Sequence, residues 1–258
     1  GEEPDELSIV REPRNTRPLS LKNCDNKIIF AVVNFALRTP LATHACPAQR
    51  GFIPGRQLVS NVVDLDVYGR IHGMQSVESD PSLISLYDFA AAFPSMSHTW
   101  IAACLTALGI PSGAYDLIMG MYCLNLAHSA AGGALVPLFL ILSGVLQGCP
   151  LSGFLFAVGV GPFLWWMYRV IELAGHGKIR VCADDIGTAL KNISALLVLY
   201  PIFVAIERAA GPSLKPSKCV LVPTGHEFTP ELVPMFKAWL QLNIPGWACF
   251  EIKSAGKY

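Results

Sequence analysis

Charge is scarce in this sequence. Only 15% of its 258 residues are Asp, Glu, Lys or Arg, against about a quarter in ordinary soluble domains. Neither sign is in excess, because 19 basic residues face 19 acidic ones. The global balance therefore lacks the strong positive charge of a typical polyanion binder, although a local basic patch is not excluded. Metal-type cysteine spacing is missing as well. Eight cysteines lie far apart, with no CxxC and no Cys/His pair at zinc spacing. That excludes a structural zinc within the chain and reads as scattered reduced thiols of an intracellular protein, nuclear or cytoplasmic. No signal peptide opens the sequence and Gly1 stands where a Met would, so it reads as an excised piece. Repeats and low-complexity linkers are also absent.

What the chain has instead is apolar residues, 52% of the total. From Leu117 to Tyr168 there is no Asp, Glu, Lys or Arg. A bilayer span needs about 20 nearly unbroken apolar residues. This run is interrupted by Asn125, His128, Gly132-Gly133, Ser143, Gln147 and Pro150, and its best segment, 153–168, is short and contains Pro162. A buried helix is expected there, with no membrane partner.

Along the chain, residues 1–20 are polar and rich in Pro and Arg. A helix is predicted over 23–37, ended by Arg38-Thr39-Pro40, and a second over 57–71 after a Gly/Pro loop. "SLISLYDF" (82–89) alternates as a strand carrying Asp88 at its end. Ser95 or Ser97 caps the next helix, which Gly109 and Pro111 stop. A helix over 112–126, a hairpin around Gly132-Gly133 and a long buried helix over 151–174 follow. "KIRVCA" and "IGTAL" are two strands around a tight turn, a helix over 194–210 ends at Gly211, "KCVLVP" is a strand, and Thr229-Pro230-Glu231 opens the last helix. Mixed rather than alternating elements indicate an α+β fold around an antiparallel sheet.

The chemistry begins with "IRVCADDIGTAL" (179–190). Adjacent carboxylates at Asp184 and Asp185 repel and are costly beside a core. Turns accept Asp for purely conformational reasons, but Asp88 also ends a strand, and three carboxylates brought together demand a cation. Oxygen-only ligands select Mg²⁺ or Mn²⁺, bound through carboxylates and substrate phosphates, and a pair of such ions clamps a phosphoryl transfer. Between the acids lies "SGVLQGCPLSG" (143–153), whose glycines permit close backbone approach to a ligand and whose Gln147 offers an amide.

In order and rough spacing, "YDFAAAF", "SGVLQGCPLS", "VCADD" and "LKPSKC" resemble the palm motifs of reverse transcriptases, most closely the non-LTR (LINE-type) retrotransposon enzymes. "NTRPLSLKNCDNKI" (15–28) resembles their RPISL fingers motif, and "QRGFIPGRQLVSNV" (49–62) their QxGFxxGRxxxxNV block. The resemblance covers nearly the whole chain. It implies a right-hand polymerase with fingers at about 1–80 and 112–143, a palm at about 81–111 and 144–258, an antiparallel palm sheet packed on helices, and no thumb. It implies RNA-directed DNA synthesis with RNA template, DNA primer and dNTP as partners, and two Mg²⁺ ions for which Mn²⁺ can substitute. Asp88 and Asp184 would be the principal metal ligands, with Asp185 completing the cluster. Arg17 would reach the triphosphate, Gln147 and Gly148 would touch the incoming nucleotide, and Lys218 would protonate the departing pyrophosphate. Arg50 and Arg56 would hold template or triphosphate. Phe93 stands at the aromatic gate that excludes a 2′-hydroxyl.

The chain departs from the family pattern at two places in these motifs. Phe93-Pro94 replaces the common AFD, and Cys182 stands where an aromatic packs near the primer end. The first fingers motif should precede residue 11, and the primer grip should begin near "AGKY". Other readings are a decayed or domesticated copy that binds nucleic acid without catalysis, an RNA polymerase on the same palm and, more remotely, a membrane protein.

Overall fold

The computed structural model describes residues 24–123, 125–131, 133–146 and 148–254. Its strands are β1 (Leu83–Tyr87), β2 (Leu126–Ala131), β3 (Ala134–Leu140), β4 (Gly177–Cys182), β5 (Asp185–Leu190), β6 (Val220–Pro223) and β7 (Glu251–Ile252). Five of them form one sheet in the order β4-β5-β1-β6-β7, while β2 and β3 form a separate hairpin. β1 alternates buried and less buried positions, as "LISLY" requires of a strand with one face in the core. It pairs antiparallel with both β5 and β6.

The expected all-antiparallel sheet needs one correction, since β6 and β7 are parallel. A parallel pair requires a crossover that turns the chain back to its original direction. Here α8 (Leu232–Asn243) lies in that connection.

The helices before α8 are α1 (Cys24–His44), α2 (Val59–Gly73), α3 (Ala92–Ser95), α4 (His98–Ala107), α5 (Ser112–Gly120), α6 (Ser152–Tyr168) and α7 (Leu196–Ala210). α1 continues through Pro40 instead of stopping before it. Proline removes a helical hydrogen bond, yet Leu41 just beyond it is buried, and the Thr43 hydroxyl donates to the Pro40 carbonyl at 2.7 Å. Packing of that last turn outweighs the local signal. Ser97 caps α4 by accepting from the Trp100 N–H, and Gly211, at φ +99°, closes α7.

α6 is apolar on nearly all sides, and Phe154, Phe156, Leu164 and Met167 are buried in the core. The stretches 152–173 and 193–210 are each long and apolar enough to cross a bilayer. In this fold Leu196, Ile202 and Ile206 of the second also face the core. By contrast, every residue of β3 is exposed.

A π-helical turn, Arg169–Leu173, extends α6 and turns Glu172 toward β4. Glu172 accepts from Lys178 and, at 3.0 Å, from Arg180. Arg180 also donates to Asp64 of α2 at 2.6 Å, and Asp64 accepts from Arg50 at 2.8 Å. Burial would push the Asp64 carboxyl up, but Arg180 and Arg50 outweigh it and hold it below its ordinary value. Such a carboxyl binds protons more readily once unfolded. The ion network therefore stabilises the fold above about pH 4 and weakens as acid takes the pH down through that value. Replacing Asp64 with Asn should cost about 2 kcal/mol at neutral pH, read as a lower urea midpoint. The gap to wild type should shrink at pH 3; an equal gap at both pH values would mean that the carboxylate charge contributes nothing.

Candidate active site

Strand register sets the acids at the same end of the sheet. Tyr87 pairs with Ile186 across β1 and β5, so Asp88 lies one step further on, level with Asp185. Cys182 pairs with Asp185 across β4 and β5, leaving Ala183 and Asp184 as a two-residue turn. Asp88 and Asp184 are half-buried and Asp185 is exposed.

That turn is strained. Ala183 has φ +59°, a conformation that two-residue hairpins normally give to Gly, Asn or Asp. The cost of holding an alanine there is on the order of 1–3 kcal/mol. Its compensation comes from the loop "QRGF". Gln49 is only 2% exposed. Its side-chain oxygen accepts from the N–H groups of Ala183 at 2.9 Å and Gly51 at 2.8 Å, and its amide nitrogen donates to the Ala183 carbonyl at 3.3 Å. Main-chain bonds from Arg50 N–H to the Val181 carbonyl and from Val181 N–H to the Ala48 carbonyl extend the brace. The Asn61 side chain donates to the Val181 carbonyl as well. Gly51 allows the close approach, since a Cβ there would lie 2.3 Å from the Ala183 nitrogen.

Asp88 is anchored from the other side by "LKPSKC". The Lys215 N–H donates to the Asp88 carbonyl at 2.8 Å. The Asp88 N–H points at the sulfur of Cys219, 3.4 Å away. Burial pushes the Cys219 thiol up to about 11, so it remains a neutral S–H beneath the acid. Lys218 Nζ stands 4.0 Å from Asp88 Oδ2, both open to solvent. Half-buried Cys182 has its thiol pushed up by burial first, then by the charges of Asp185 and Asp184.

Among the described residues no three acid, His or Cys side chains form a ready-made metal cluster. A hard divalent cation needs only one or two protein carboxylates when water and substrate phosphate complete its shell. The strand-end aspartates, oxygen donors only, fit that requirement.

Phe93 is half-buried and stacks on Phe156 with ring centres 4.2 Å apart and planes 6° from parallel. The segment beginning "SGV" is strapped beside it, through Gly144 N–H to the Met96 carbonyl and Val145 N–H to the Phe93 carbonyl. Gly144 has φ +95°, and a Cβ there would meet the Pro94 carbonyl oxygen at 2.6 Å. Gly148 is exposed in a turn at φ +91°. Arg17 and Gln147 lie outside the described residues. Arg50 and Arg56 do not join the acids. Arg50 pairs with Asp64, and Arg56 donates to the carbonyls of Cys46, Gln49 and Ala45.

The sequence motifs assign no role to Gln49, Gly51, Phe52 or Cys219. The available signal was a Gln two residues before a Gly in a Gly/Pro loop, an amide with backbone to satisfy.

A profile of the family described as "Reverse transcriptase (RNA-dependent DNA polymerase)" matches residues 5–229. The chain is 30% identical over 158 residues to the "Transposon TX1 uncharacterized 149 kDa protein" of Xenopus laevis, covering 60% of this chain and 12% of that protein. It is 29% identical over 219 residues to the Pol polyprotein from type-1 retrotransposable element R2 of Popillia japonica, covering 83% and 30%. The chain thus spans less than a third of the length of these relatives. Among solved structures, apo telomerase from Candida tropicalis, truncated from its C-terminal domain, superposes with a TM-score of 0.55 at 11% identity, covering 80% of this chain and 41% of that one. Telomerase from Candida albicans with a TWJ fragment of telomeric RNA gives 0.54 at 11% identity, covering 84% and 42%. At that identity the likeness is one of fold.

Gln49→Ala leaves two buried N–H groups without their acceptor and should cost about 2 kcal/mol. Amide hydrogen exchange at Ala183 should accelerate with it. Gly51→Ala, which forces the turn to move, should have the same signature; unchanged exchange at Ala183 in both variants would sink the brace.

Proposed function

This chain belongs to the reverse transcriptase (RNA-dependent DNA polymerase) family, and we propose that it extends a DNA primer on an RNA template within a non-LTR retroelement protein. The observation that carries this reading is the register that sets Asp88 level with Asp185 beside the Ala183–Asp184 turn. The fold is that of a right-hand polymerase, with fingers taken as about 1–80 and 112–143 and palm as about 81–111 and 144–258.

Asp88 and Asp184 would hold two Mg²⁺ ions, or Mn²⁺ in their place, with Asp185 adding negative charge beside them. Such ions supply the charge neutralisation that in-line phosphoryl transfer demands. The primer 3′-hydroxyl, giving up its proton to solvent, attacks the α-phosphate of the dNTP; a P–O bond forms as the bond to pyrophosphate breaks. Lys218 would give the leaving group a proton, a role supported by its ammonium lying 4.0 Å from the Asp88 carboxylate. Arg17 and Gln147 take the triphosphate and nucleotide, and exposed Gly148 leaves room for both. The ring of Phe93, stacked flat on buried Phe156, would be the surface under the sugar. An RNA polymerase on the same palm would carry, at the position of Phe93, a second acid to accept from the ribose hydroxyl; a phenyl ring cannot accept that bond, which favours deoxynucleotides over the RNA polymerase reading.

Template and primer are held mainly through their phosphates, with Cys182 near the primer end. Arg50 and Arg56, committed to Asp64 and to backbone carbonyls, act on template only through the loop they stiffen. These substrates place the reaction inside the cell, in nucleus or cytoplasm. A second reading, a copy that binds nucleic acid without turnover, draws on Cys182, which lacks the aromatic surface expected there.

The test uses the full natural protein containing this chain. RNA-templated dNTP incorporation with Mg²⁺ or Mn²⁺ should be measurable and should vanish in Asp184→Asn; absence of wild-type activity with either ion would favour the non-catalytic reading. Phe93→Ala should raise ribonucleotide use on the order of 10–100-fold. Unchanged sugar preference would remove Phe93 as the gate.

A further inference from the structure

Phe52 has no place in the mechanism above, yet it stands out. It combines φ +61° with a bulky side chain that is 53% exposed. An aromatic residue in the left-handed region is a conformational outlier, and such strain persists only where the surroundings over-determine it. Burial does not reward it, since more than half of the residue faces solvent. What fixes it is contact on both sides. Its neighbour Gly51 is pressed against the Ala183 nitrogen, and Phe52's own ring lies over Gly153, where a Cβ would be 2.4 Å from Cδ1.

The same ring meets Phe93 edge-on, with centres 6.1 Å apart and planes at 72°. Phe93 is therefore held by two rings, Phe156 stacked parallel to it and Phe52 set crosswise to it. A flat stack resists tilting but lets one ring slide across the other, because offset arrangements differ little in energy. The edge contact blocks that slide. Discrimination by a single hydroxyl depends on sub-ångström placement of the surface it strikes.

We propose that Phe52 is a positioning residue for sugar selection, an aromatic stop that fixes Phe93 against the ribose 2′-hydroxyl of the incoming nucleotide. The proposal rests on the reading of Phe93 as the gate. It also gives one short loop two duties, because Gln49 of the same loop sets the aspartate turn.

The test is single-nucleotide incorporation by the full natural protein on an RNA template, comparing kcat/KM for each rNTP with that for its dNTP. Phe52→Ala should raise the ratio of ribonucleotide to deoxynucleotide use about tenfold, and Phe52→Tyr should keep it at the wild-type value. Combining Phe52→Ala with Phe93→Ala should add nothing to Phe93→Ala alone, since one residue acts through the other. Gly153→Ala, which displaces the ring without removing it, should raise the same ratio and covers the case in which Phe52→Ala does not fold. An unchanged ratio in Phe52→Ala and Gly153→Ala, or multiplicative effects in the double variant, overturns the proposal. If Phe93→Ala itself leaves the ratio unchanged, the gate reading has failed, and this proposal fails with it.

Discussion

The site depends on one buried amide. Gln49 satisfies both the N–H and the carbonyl of Ala183, and so holds in place a backbone conformation that alanine disfavours. Nothing in β4 or β5 alone would fix the turn so firmly. A two-residue hairpin without glycine has softer alternatives, each of which would point Asp184 elsewhere. The requirement then propagates outward. Gln49 must be buried to be rigid, Gly51 must lack a side chain to let the loop close, and Asn61 must reach back from α2 to the Val181 carbonyl.

Charge is concentrated where it performs work. In a chain with so few ionic groups, Arg50, Asp64, Arg180, Glu172 and Lys178 join in one network along β4. That network stiffens the strand whose far end carries the aspartate turn. Mostly buried ion pairs contribute little net stability, but they are specific about geometry because each partner penalises any arrangement that leaves it alone. The aspartates beyond Cys182 are the opposite case. Asp88 and Asp185 lie level on neighbouring inner strands at one end of the sheet, where water and ligands can reach them.

Much of this was legible in the sequence. Alternation marked β1, the Asp pair marked the β4–β5 turn, Ser97 and Gly211 marked helix ends, and the uncharged run correctly announced a buried α6. The failures have physical causes. Pro40 argued locally for a stop, but a buried Leu41 and a hydroxyl-to-carbonyl bond kept α1 going. The parallel edge strand could not be read from two residues, Glu251 and Ile252, because direction is set by the α8 crossover and not by composition. The part played by Gln49 depends on contact with a residue 134 positions away. Local patterning carries no trace of such a bond. The roles of Arg50 and Arg56 toward template or triphosphate came from the family resemblance alone; in the fold Arg50 pairs with Asp64 and Arg56 with neighbouring carbonyls.

The β2–β3 hairpin has a colloidal consequence. β3 reads Ala-Leu-Val-Pro-Leu-Phe-Leu, exposed at all seven positions and apolar on both faces. Two-stranded ribbons of this kind are marginal on their own, and an apolar ribbon with open edges is a template for pairing with another chain. Pro137 interrupts the donor pattern of one edge and so slows, without preventing, such growth. A run of exposed apolar surface is thus gathered on an arm distant in sequence from Asp88, Asp184 and Asp185, and that arm offers open strand edges for pairing.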